Sequence, residues 1–168
     1  MTRRIGALAD YAATSGAAGI LFTCSAFGEA IAVAARRAPV PVLKPNEAMF
    51  EAAVAAGRRI GMLATFAPAA ASMEQEFREM AAERNAAASL ETVCVPEAMQ
   101  ALQAGDADRH NRLLAEAAPS LHACDAVLLA HFSTSRAADA VRRVIARPVL
   151  TAPDAAVTKL KSALDGAP

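Results

Sequence analysis

Residues Gly19 to Phe50 are repeated without a gap by Ala126 to Val157, at a constant offset of 107 positions. The identical pairs are Leu21/Leu128, Ala30/Ala137, Arg36/Arg143, Pro41/Pro148, Val42/Val149, Leu43/Leu150 and Ala48/Ala155. Alanine matches carry little weight in so alanine-rich a chain, but the ordered Pro-Val-Leu match is informative. A gapless repeat of this length requires one supersecondary unit to be built twice, so the chain is constrained to two related halves. The same superposition lays Cys24 on His131.

Each copy reads as strand, turn, helix and strand. Ile20-Leu21-Phe22 and Val127-Leu128-Leu129 are apolar runs without alternation, the pattern of strands buried on both faces of a parallel sheet. Along the chain the pattern predicts a helix to about Ser15, strand 19–23, helix 27–37, strand 40–43, helix 46–57, strand 59–64, helix 68–84 and strand 90–94. Helices 96–104 and 106–121, strand 125–130, helix 134–145, strand 148–150 and helix 153–164 follow. Such alternation implies βαβ units and parallel sheets. The expected fold is therefore α/β, with two pseudo-symmetric parallel-sheet halves and an active-site cleft between them. The halves fall at 1–57 and 58–150, and residues 151–168 form a C-terminal helix that crosses back to the first half.

The repeat also predicts where the first half is short. Strand Ile60 to Thr65 has no partner 107 residues earlier, whereas Leu8-Ala9-Asp10 parallels Leu114-Ala115-Glu116 at an offset of 106. The first half is thus expected to be N-terminally incomplete, with roughly fifty residues of the fold lying upstream. An uncovered sheet edge would favour a homo-oligomer.

Composition narrows the function classes. With 168 residues and 55% apolar content the chain can bury a proper core, and 17 basic against 17 acidic residues give no electrostatic reason for nucleic acid or an anionic membrane as a partner. No sustained apolar segment suggests a leader or a membrane span, so a soluble cytoplasmic protein is expected. Cys24, Cys94 and Cys124 form no CxxC pair and no disulfide framework. The sequence has neither a GxGxxG nor a Walker loop, and no His/Asp/Glu cluster at ligand spacing; no cofactor and no metal are expected.

The chemistry-bearing residues gather at strand ends, where α/β sheets bind ligands. Cys24, flanked by Thr23 and Ser25, ends a strand just before a helix, a setting in which backbone N–H groups and the helix dipole favour a thiolate. His131, followed by Phe132 and Ser133, holds the equivalent position with a side chain suited to giving or taking a proton. Thr65 ends the central strand with Phe66 beside it, and its hydroxyl is placed to hold a carboxylate. Asn46 follows the next strand end, either against substrate or as the cap of the helix after it. Cys94 and Cys124 read as packed thiols, and His110 and His122 as surface or structural residues. Met73, Phe77 and Met80 have the spacing of a core-facing helix stripe.

The segments Gly-Ile-Leu-Phe-Thr-Cys-Ser, Pro-Val-Leu-Lys-Pro-Asn-Glu-Ala-Met, Ile-Gly-Met-Leu-Ala-Thr and Ala-Val-Leu-Leu-Ala-His, in that order, resemble the aspartate/glutamate/hydantoin racemase superfamily. The resemblance implies a two-domain α/β protein with a pseudo-twofold axis and no cofactor or metal. It also implies an isomerase that moves a proton at the carbon next to a carboxylate, with one cysteine on each side of a small carboxylate-bearing substrate. Carried over, Cys24 matches the first cysteine, Thr23 and Ser25 its neighbours, and Thr65 the central-strand threonine. His131 stands where the second cysteine would be. This departure replaces a symmetric thiol pair by a Cys/His pair, and keeps open the decarboxylase or isomerase chemistry of the same superfamily, or carboxylate binding without catalysis.

Overall fold

A computed structural model describes residues 1–24 and 27–166; Ser25 lies outside the described residues. The described part is α/β, with six short strands in two all-parallel sheets. It divides into two units, one formed by Met1–Ala48 together with the chain from Pro153 onward, the other by Met49–Ala152.

In the first unit, α1 (Thr2–Thr14) is followed by β1 (Ile20–Leu21), α2 (Gly28–Ala35) and β2 (Val42–Leu43). Ile5 and Ala9 stack one turn apart on α1 and meet Ala30, Ile31 and Ala34 of α2, with Ile20, Phe22, Phe27 and Val42 packed on them. That apolar seam, rather than helix propensity, fixes the two helices on their sheet. The helix α8 (Ala152–Asp165) joins this unit from Pro153 on. Its Lys159 Nζ donates to Glu47 Oε1 at 2.9 Å, and its Leu160 lies so close to Gly19 that a Cβ there would sit 2.7 Å from Leu160 Cδ1.

The second unit carries a four-stranded sheet in the order β4 (Ser89–Cys94), β3 (Arg59–Ala64), β5 (Ala126–Leu129), β6 (Val149–Thr151). The helix α3 (Glu47–Ala56) belongs to it from Met49 on, α4 (Ala67–Glu83) links β3 to β4, and α5 (Pro96–Gln103) and α6 (Ala107–Ala117) lead to β5. The core stripe read from α4 is buried: Met73, Phe77 and Met80 all face inward, and Phe77 meets Phe50 edge-to-face at 5.5 Å. A second core cluster joins Leu114, Leu121, Val127, Leu129, Val141 and Val149. Gly61, in the middle of β3, is required by close approach, since a Cβ there would lie 2.9 Å from Leu121 Cδ1. At the end of α5, Gly105 takes φ +81 and completes a Schellman cap, its N–H bonding Leu102 O at 3.0 Å and that of Asp106 bonding Ala101 O at 2.9 Å. Asp106 then caps α6, accepting from Arg109 N at 2.9 Å.

The repeat in the sequence is a repeat in the backbone. Ile20 pairs with Val42 and Leu21 with Leu43 in the first sheet, and the residues 107 positions later pair identically, Val127 with Val149 and Leu128 with Leu150. Even the bond entering each pair recurs, Ile20 N to Pro41 O at 2.8 Å and Val127 N to Pro148 O at 2.9 Å.

Three sequence expectations are corrected. The strand expected at 19–23 is only the two residues of β1 and is half-buried, because β1 is flanked by β2 alone whereas β5 is flanked by β3 and β6 and fully buried. The helix expected over 134–145 is a single 3-10 turn (Thr134–Ala137) continued by the short α7 (Ala138–Arg142). The helix expected over 106–121 ends at Ala117 and tightens into a 3-10 turn (Ala118–Leu121), where Pro119 cannot supply the N–H of an α-helical bond. No helix among the described residues is long and apolar enough to cross a membrane.

Candidate active site

The strand order 4-3-5-6 makes the junction of β3 and β5 a topological switch point: from β3 the chain moves outward to β4, then returns to the opposite side of β3 to form β5. The crevice beyond the carboxyl ends of such a pair is where open α/β sheets bind ligands. Thr65 and His131 stand there. Leu63 pairs with Leu129, and Ala130 N donates to Leu63 O at 2.9 Å, so the same register carried two residues further sets Thr65 beside His131.

The two side chains have different surroundings. Thr65 is buried, and its hydroxyl makes no hydrogen bond among the described residues. His131 is half-buried, with φ +79, a left-handed backbone that costs energy for a residue with a Cβ. Its Nε2 is shut off from solvent with no hydrogen-bond partner among the described residues, and burial pushes the imidazole pKa below its ordinary value. A strained backbone and an orphaned ring nitrogen on one residue are costs that packing alone does not explain. Phe66, beside Thr65, is exposed, and Ser133 is half-buried two residues beyond His131.

Two further residues lie close to this rim, Thr134, which the sequence reading did not single out, and Cys94, which it took as a packed thiol. Thr134 is fully buried and its Oγ1 has no partner among the described residues; the signal available was its place in the hydroxyl run Ser133-Thr134-Ser135 after a strand end. Cys94 pairs with Ala64 at the carboxyl end of β4, one step from Thr65. Burial, followed by the charge of Glu97, raises the Cys94 thiol, so it holds its proton and is a poor nucleophile. Cys124 is buried as read from the sequence, raised first by desolvation and then by Glu91. His110, read as a surface or structural residue, is fully buried inside the unit.

In the first unit, Thr23 and Cys24 follow β1 and are exposed. Cys24 therefore meets solvent. Asn46, by contrast, is buried and held by an interaction. Because Leu21 pairs with Leu43, Cys24 and Asn46 each lie three residues past paired positions on neighbouring strands. Cys24 and Asn46 thus belong to the first unit, and Thr65, Phe66, His131 and Ser133 to the second. Among the described residues, no group of three or more His, Cys, Asp or Glu side chains converges as a metal site would require.

The sequence profile of the Asp/Glu/Hydantoin racemase family matches residues 2–121, which include Cys24 and Thr65. This chain belongs to that family. The match ends short of His131. No curated protein matches the chain in sequence. Solved structures share its fold. An aspartate racemase homologue from Pyrococcus horikoshii superposes with a TM-score of 0.71 at 16% identity, covering 98% of this chain and 74% of the other. A glutamate racemase isoform from Bacillus anthracis gives 0.69 at 12% identity, over 98% and 66%. A mutant of arylmalonate decarboxylase gives 0.69 at 15% identity, over 99% and 76%. This racemase-family chain therefore spans between two thirds and three quarters of the length of those proteins.

Proposed function

We propose that this racemase-family chain catalyses cofactor-independent proton transfer at the carbon next to a carboxylate of a small substrate, with Cys24 and His131 as the two proton-handling groups. The observation that carries the reading is the shared register of the two strand pairs, 107 residues apart, which gives Cys24 and His131 the same station three residues past Leu21 and Leu128. A family whose reaction needs a proton-handling group on each side of one carbon would draw them from such equivalent positions.

The chemistry follows from the state of His131. His131 is held neutral by burial, so its imidazole is the base that takes the proton from carbon. The electrons of the broken C–H bond pass into the carboxylate as an enolate-like dianion. The Cys24 thiol then returns a proton to the opposite side of the same carbon, and the reverse direction exchanges the two roles. The developing charge is the costly part of this reaction, and preorganised donors offset it by several kcal/mol each, roughly ~3 for a well-placed one. The hydroxyls of Thr23, Ser25, Thr65 and Ser133 and the amide of Asn46 are the groups assigned to the carboxylate, and Phe66 to the wall beside it.

A decarboxylase is the second reading, favoured by the unlike partners. With a thiol on one side only, loss of carbon dioxide from a malonate would generate the same enolate, and the Cys24 thiol would protonate it on one face. Proton–deuterium exchange at the α-carbon of amino acids, hydantoins and substituted malonates, followed by NMR, tests the proposal. Exchange that vanishes in Cys24→Ala supports it. Exchange that persists at the wild-type rate in that variant removes Cys24 from the mechanism, and carbon dioxide release without exchange selects the decarboxylase.

A further inference from the structure

A groove of about 520 Å³ in the second unit runs along α6, the turn at Thr134–Ala137 and α7, and none of its lining residues is given a role above. Its volume is that of a small-molecule site. Arg112 enters from α6, Arg136 from the 3-10 turn and Arg143 from the end of α7, all three exposed. None of these guanidinium groups forms an ion pair among the described residues. Two carboxylates also line the groove, but Asp139 is already engaged by Arg142 at 3.3 Å, which leaves Asp108 as the only lining carboxylate without a pairing cation. The balance is cationic.

A fourth donor is built from beneath. Asn111 lines the groove half-buried, and its Oδ1 lies 2.9 Å from Nδ1 of the fully buried His110. An amide oxygen only accepts, so His110 carries its proton on Nδ1. With Oδ1 held in this way, the two N–H bonds of the Asn111 amide are left to point elsewhere than the histidine. The floor is fixed as well, because Leu114, Ala118, Ala137, Ala138 and Val141 pack α6 against the turn and α7 in one core cluster. Three unpaired guanidinium forks and an oriented amide on a rigid floor are donors without acceptors of their own.

We propose that this groove binds a phosphorylated small molecule through Arg112, Arg136, Arg143 and Asn111. Guanidinium groups bind tetrahedral oxyanions in paired N–H···O contacts, and a phosphate monoester near neutral pH carries between one and two negative charges to match the cationic surplus. Because the arginines are exposed, the attraction is screened by salt and binding weakens as ionic strength rises.

Calorimetric titration of the full chain with pyrophosphate at low ionic strength tests this, with citrate as a polycarboxylate of comparable charge. Saturable pyrophosphate binding is expected, weakened about tenfold by each of Arg112→Ala, Arg136→Ala and Arg143→Ala, as one charge-assisted contact is lost. Asn111→Asp, which keeps the shape but replaces a donor by a carboxylate, should weaken it similarly. Arg78→Ala, on the exposed side of α4, should leave it unchanged. Absence of saturable binding, wild-type affinity in the three arginine variants, or citrate binding as tight as pyrophosphate would each overturn the assignment. Circular dichroism of the variants, all at surface or half-buried positions, confirms that the fold is retained.

Discussion

Ala130 donates its backbone N–H to the carbonyl of Leu63 at 2.9 Å, one rung past the last ladder pair of β3 and β5. That bond fixes the register of the two strand ends, and with it the neighbours Thr65 and His131 at the switch point. Thr65→Val keeps the volume and removes the hydroxyl. With no hydrogen bond among the described residues to lose, the variant should melt close to wild type while the apparent KM for a carboxylate substrate rises about tenfold, the cost of one donor to a charged group. A large drop in Tm with unchanged KM would make Thr65 a packing residue.

Burial lowers the pKa of His131, and both activity and stability inherit a direction from that shift. As a neutral base, His131 should keep working below the ordinary histidine value of about 6.5, and exchange should fall only as pH drops through the lower folded value. The unfolded chain takes up its proton at the ordinary, higher value. Between the two values the unfolded state binds more protons, so stability falls as pH decreases through that window. His131→Gln should flatten this part of the stability profile and abolish the acid limb of the rate profile, as read by thermal melts and exchange rates across pH.

Asp125 closes the start of the second unit's sheet. Its Oδ2 accepts from Arg58 N at 2.7 Å and Arg59 N at 2.8 Å, and these two bonds hold its carboxyl below the usual carboxylate range. A depressed folded value means the stabilisation is present above the unfolded value and lost as pH falls through the folded one. Gly57 makes room for this side chain, since a Cβ there would lie 2.2 Å from Asp125 Cβ. Gly57→Ala should therefore lower stability by about 1–3 kcal/mol, in the range of overpacked sites. In Asp125→Gly, which removes the Cβ as well as the carboxylate, the same glycine substitution should cost much less, a coupling that a double-mutant cycle of melting curves measures.

Much of the architecture could be read from residue patterns, because the strands are short apolar runs and the repeat aligns two of them without a gap. The span of β3 was read at 59–64 and is found at Arg59–Ala64, since Ile60 to Ala64 are all buried and leave no period for a helix to use. The helix over 134–145 was misread because its apolar spacing fits an α-helix, whereas the turn after β5 starts in 3-10 geometry beside the left-handed His131. Buried His110 gave no sign of its burial, because on a helix of polar character the partner that holds it, Asn111, is simply the next residue.

The sequence by itself determined the two related halves, the parallel α/β class, the strand-end positions of Cys24, Thr65 and His131, and the family. These are properties of local hydrophobic period and of residues a fixed number of positions apart, and both are written along the chain. Only the tertiary structure decided that Cys24 is exposed while Asn46 is buried, that Cys94 ends its strand one step from Thr65, and that three arginines share one groove. It also supplied the contact between α8 and the rest of its unit, Lys159 to Glu47, spanning 112 residues of sequence. Burial, charge pairing and close approach depend on which surfaces meet, and no pattern within one segment specifies what a segment a hundred residues away will place against it.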